Sequence, residues 1–78
     1  PQQALSLQNS SFVLRMSDRF ANRVRKDVGE NVDAQVERAY LVAYGRLPTE
    51  RERHIATAAV QSHGLAVLTR AIFNSNEF

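Results

Sequence analysis

The side chains able to do chemistry are few, and they do not converge in the sequence. His54 and His63 are the only histidines, nine positions apart, so on one helix they fall on opposite faces and not at ligand spacing. Glu50 stands one helical turn before His54, but one carboxylate and one imidazole leave a metal or acid–base site incomplete. A surface or loop role is the plainer reading of both histidines. Ser6, Ser10, Ser11, Ser17, Ser62 and Ser75 include no G-x-S-x-G elbow and none lies beside an evident base, which leaves capping and solvated roles. The chain has no cysteine, so a thiol nucleophile, a thiolate metal site and a disulfide framework are excluded. No catalytic residue, metal ligand or cofactor is expected within it.

Two groups of residues do form a pattern. Arg15, Arg19, Arg23 and Lys26 are spaced to line one face of a helix. Such a stripe could meet phosphates or an acidic protein surface. Asp18 and Asp27 lie elsewhere on the same stretch, and charge runs are most often solvated. A solvated face is therefore the first reading, an acidic partner the second and nucleic acid the third.

The other group is Gly45, Arg46, Pro48, Thr49 and Glu52. Gly45 follows an apolar run and suits the left-handed end of a helix. Pro48 blocks continuation. Thr49 and Glu52 have the S/T-x-x-E spacing of a capping box, in which hydroxyl and carboxylate each satisfy an orphan backbone N–H. Leu47 is expected to fold back as the apolar contact of the cap. Arg46 is expected to reach helix-end carbonyls or to pair with Glu50. Arg38 is expected to pair with a carboxylate of another segment, with Glu77 the candidate.

These groups need helices to position them. Phe12, Val13, Met16, Phe20, Val24 and Val28 recur every three or four residues, which predicts a helix from about Ser11 to Val28, stopped by Gly29. Asn9, Ser10 and Ser11 are its candidate caps. A second helix is expected from an Asp33 cap to Tyr44, with Val36, Ala39, Tyr40 and Ala43 as its stripe. Leu41, Val42 and Tyr44 make its second half nearly apolar all round, which predicts a central position. A third helix opens at the Thr49 cap and runs to about Ser62, with the break at His63-Gly64. A fourth spans about Leu65 to Phe73, ended by Asn74-Ser75-Asn76. Pro1–Leu7 reads as a short helical turn, and Phe78 is expected to tuck back onto the bundle. The fold class is all-α: a compact bundle of four main helices with a short N-terminal turn, packed orthogonally or irregularly. The expected core is Leu5, Val13, Met16, Phe20, Val24, Val36, Tyr40, Ala43, Leu47, Ile55, Leu68, Ile72 and Phe73.

Length and composition agree with one small domain spanning residues 1–78. Apolar residues are 44% and charged residues 23%, which argues against disorder. The net charge of +2 is too small to name a partner. No apolar run is long enough to span a membrane. A start at Pro1 without Met and an apolar Phe78 at the end suggest a segment of a longer protein.

Three stretches stand together in order: Pro1-Gln2-Gln3-Ala4-Leu5 with Asn9-Ser10; Arg38-Ala39-Tyr40 with Gly45-Arg46 and Pro48-Thr49; and Ala71-Ile72-Phe73-Asn74-Ser75-Asn76-Glu77-Phe78. They resemble the C-terminal part of a planctomycete-specific, cytochrome-associated domain of unknown function. Ile72 stands where that family's closing segment has Leu. The resemblance implies a piece of a large extracytoplasmic bacterial protein that often carries a c-type cytochrome-like module. This chain has no C-x-x-C-H motif, so any haem would sit elsewhere. The function expected is a non-catalytic structural or protein-interaction module, with neighbouring domains of the same protein or an acidic protein surface as partners. The alternatives are a small helix-turn-helix-like nucleic-acid-binding domain, and the C-terminal part of an enzyme whose active site lies outside this segment. Against the nucleic-acid reading, the third helix opens Glu50-Arg51-Glu52, and its carboxylates would meet phosphates badly.

Overall fold

A computed structural model describes residues 10–75. Those residues form four helices in the order α1 (Ser11–Val28), α2 (Val32–Tyr44), α3 (Glu50–His63) and α4 (Leu65–Phe73), and no strand lies among them. The all-α bundle expected from the periodicity is the fold observed. The expected helical turn at Pro1–Leu7, the core role of Leu5 and the packing of Phe78 fall outside the described residues.

Local chemistry sets each boundary. The Ser10 hydroxyl accepts from the Val13 N–H at 3.1 Å and caps α1. Arg25 and Lys26 in its last turn complement the negative end of the helix dipole. The cap of α2 is Asn31, whose Oδ1 accepts from the Ala34 N–H at 2.9 Å, and not Asp33. The loop after Gly29 is short enough for the helix to start two residues early. Asp33 then sits in the first turn, where its carboxylate still faces the positive end. Buried Gln35 fastens this loop by donating to the Gly29 carbonyl at 2.7 Å. Between α3 and α4 a single residue, Gly64, is the end of one helix and the start of the next. Its φ of 96° and ψ of 163° lie in a region that residues with a Cβ avoid.

The core joins Ala21 and Val24 of α1, Val36 and Ala39 of α2, Ala56 and Val60 of α3, and Leu65, Leu68 and Ile72 of α4. Val13 is buried beside it. Helix α2 packs against all three others, as its central position required, and the short α4, with four buried residues, does so too. The apolar second half of α2 is not enclosed: Leu41 and Val42 are 43% and 55% exposed. Two further expected core residues lie outside it. Leu47 is 53% exposed and Ile55 is 58% exposed. Leu47 does not close the cap, because the turn directs Pro48 inward and buries it instead. Met16, Phe20, Tyr40, Ala43 and Phe73 are half-buried at the margin.

Small residues lie at the most extensive joint, between α1 and α4. Ser17 and Ala21 of α1 are buried against α4, and side chains of that size let helix axes approach closely. The joint is also polar. Thr69 is fully buried, and its hydroxyl lies 2.8 Å from the Ser17 carbonyl across the interface and 3.1 Å from the Ala66 carbonyl of its own helix. The Ser17 hydroxyl donates back to the Val13 carbonyl at 2.7 Å, so every buried hydroxyl at the joint is engaged.

Candidate interaction site

The α2–α3 turn forms as its residue types require. Gly45 is left-handed, with φ 72° and ψ 20°, and its N–H donates to the Leu41 carbonyl at 3.0 Å. The capping box is complete: Thr49 Oγ1 accepts from the Glu52 N–H at 3.2 Å, and Glu52 Oε1 accepts from the Thr49 N–H at 2.8 Å. Arg46 does not pair with Glu50. It grips Glu52 with both ends of its guanidinium, at 2.8 and 3.0 Å, and Nη1 also donates to the Leu47 carbonyl at 3.1 Å. Glu52 is held in place by the capping box, so it offers a fixed bidentate acceptor that Glu50 does not.

The Arg46 guanidinium also lies 5.5 Å from the ring centroids of both Tyr40 and Tyr44, within cation–π range. Those rings meet edge to face at 5.2 Å. The Tyr44 hydroxyl in turn shares a 2.7 Å hydrogen bond with Ser75 Oγ just past α4. The turn is thereby linked from Glu52 through Arg46 and Tyr44 to the end of the last helix. The Arg46 contact, and next the Thr49 N–H, hold the Glu52 carboxyl at about 2, well below its usual 4.5.

Two ion pairs tie other helices together. Arg53 of α3 meets Glu37 of α2 at 2.9 Å. Arg38 of α2 pairs with Asp27 of α1 at 3.2 Å; the expected partner, Glu77, lies outside the described residues. His54 and His63 are both exposed on α3. His54 shares an open polar hollow with Asp33, Glu50, Arg53 and Thr57, and among the described residues no group of three or more His, Cys, Asp or Glu is placed to hold a metal ion.

The basic stripe lies on α1, with Arg15, Arg19, Arg23 and Lys26 all exposed. Asp27 does not lie apart from it: it stands one turn beyond Arg23, and its carboxylate approaches Arg23 at 4.0 Å while pairing more tightly with Arg38. The apolar face of α1 adjoins this stripe, as its spacing implied; that α2 and α4 add to it was not legible in the spacing. Met16 and Phe20 of α1, Val42 of α2 and Phe73 of α4 line a cleft whose remaining walls are Arg19 and Arg23.

Fold and site together define a small all-α module whose ordered polar groups cap its helices and join some of them to one another. The chain belongs to the family described as PSD1, protein of unknown function (DUF1553), which it matches over residues 1–60. The match takes in the first two stretches of the motif resemblance and stops before the third. Searches of curated proteins and of solved structures found no match to the chain.

Proposed function

We propose that this chain is a non-catalytic structural or protein-interaction module of a larger extracytoplasmic bacterial protein, of planctomycete type and associated with c-type cytochrome-like modules. The observation that carries this reading is the engagement of the polar side chains. Arg46, Glu52, Thr49, Tyr44, Ser75 and Thr69 are all occupied in joining turns and helices, which suits a rigid part that presents a surface. Membership of a family known as a domain within larger proteins supports the first half of the proposal. The extracytoplasmic and cytochrome associations rest on the PQQAL and RAY…GR-x-PT-x-x-E motifs and the closing AIFNSNEF segment.

The test is to produce this chain and the remainder of its parent protein separately and to measure their association by sedimentation. A stoichiometric complex, with haem absorbance and an export signal in the remainder, is the expected result. Failure to associate, or substrate turnover by this chain alone, would overturn the proposal.

A further inference from the structure

We infer that the cleft between α1, α2 and α4 is a docking site for an acidic amphipathic helix from a neighbouring domain of the larger protein. The inference rests on the interaction-module reading and adds to it the place and the chemistry of the partner.

The cleft combines two features that are separate in the sequence. Its floor and far wall are apolar: Phe20 and Phe73 meet edge to face at 6.2 Å and 89°, with Met16 beside them and Val42 opposite, 55% exposed. Its near rim is cationic. Arg19 and Arg23 stand one turn apart on α1, and Arg15 continues the row by another turn. Among the described residues no ion pair engages Arg15 or Arg19, and the one to Arg23 is long, its side chain remaining 75% exposed. Phe12, 55% exposed, stands one turn before Met16 and prolongs the apolar margin.

The shape and charge select the occupant. The volume of about 260 Å³ is below that of clefts that enclose drug-sized ligands, roughly 300–1,000 Å³, and suits one or two inserted side chains. A concave apolar floor takes a ridge of side chains; a flat bilayer surface or a nucleic-acid duplex has no such ridge to offer. A row of three arginines at single-turn spacing matches carboxylates at the same spacing on a second helix. A helix with apolar residues on one face and Glu or Asp along its margin satisfies both features, by the mode in which amphipathic helices occupy grooves. Removing Val42 from water is favourable, and the charges set direction and register.

The probe is a synthetic helical peptide with leucines at i, i+3, i+4 and i+7 flanked by glutamates, compared with the same peptide flanked by lysines. Binding is followed by chemical shifts of the labelled chain. The glutamate peptide is expected to shift Met16, Phe20, Val42 and Phe73 and to bind roughly tenfold more tightly than the lysine peptide. The exposed double variant Arg19→Glu/Arg23→Glu is expected to reverse that preference, and Val42→Glu to weaken both peptides.

Equal affinity for the two peptides would overturn the assignment. So would saturable binding to duplex DNA or anionic phospholipid vesicles that is tighter than peptide binding, and so would a concentration-dependent dimer that shifts the same residues without peptide. The interaction-module reading is separable from this outcome. Should the remainder of the parent protein bind the chain while Arg19→Glu/Arg23→Glu leaves that binding intact, the docking site falls and the module reading stands. Should the remainder not bind at all, both fall.

Discussion

Thr69→Val isolates the polar fastening between the first and last helices. Valine keeps the β-branched shape of threonine and replaces only the hydroxyl, at a position with no solvent exposure. The 2.8 Å contact to the Ser17 carbonyl is lost. That carbonyl keeps its place in the α1 ladder, so the substitution removes a hydrogen bond without stranding a donor. A net loss of about 1 kcal/mol follows. For a domain of this size it corresponds to a fall in Tm of roughly 4–8 °C.

Thr57→Val is the matched control. The Thr57 hydroxyl is buried with no hydrogen-bond partner, so the same change there should be neutral or stabilising by up to about 1 kcal/mol. Thermal unfolding followed by far-ultraviolet circular dichroism measures both variants under identical conditions. Equal melting temperatures for the two valine variants, or a Thr69 variant as stable as the parent, would refute the reasoning that the α1–α4 joint depends on this hydroxyl.

Further outcomes follow from the same geometry. The folded Glu52 carboxyl titrates at about 2, below its usual 4.5, so its stabilisation is complete above 4.5 and is lost as pH falls through about 2. Glu52→Gln and Arg46→Ala should each flatten the acid limb of a stability–pH curve in that window, and Arg46→Ala should also lower Tm at neutral pH; unchanged acid limbs would contradict the assignment. Gly64→Ala meets no atom within 4 Å, so its cost is conformational, about 1–3 kcal/mol in denaturant unfolding. Leu68→Ala, at 6% exposure, should cost about 2–5 kcal/mol, whereas Leu47→Ala, at 53%, should stay within about 0.5 kcal/mol.

What could be read from the sequence was what local chemistry decides. Ser10, Gly29, Gly45, Thr49 and Gly64 act within a few residues of themselves, and the helix limits near them are where the spacing put them. The basic stripe was legible for the same reason, since its spacing lies within one helix. Choices between near neighbours were harder to read. Asn31 and Asp33 can both cap a helix, and loop length decided between them. Glu50 and Glu52 can both accept Arg46, and the capping box fixed only Glu52. Least legible were contacts that depend on how helices cross. Thr69 and Ser17 are far apart in the chain, and Val42 and Phe73 reach the arginine stripe only after α2 and α4 dock on α1.

Arginine footprinting with phenylglyoxal, on this chain alone and within its intact parent protein, tests the interaction role most directly. Arg15, Arg19 and Arg23 should react readily in the isolated chain and be protected in the intact protein, while exposed Arg51 on α3 reacts alike in both. Equal labelling of the three α1 arginines in the two states would contradict the account, because the surface assigned to partner binding would then be solvated in the assembled protein.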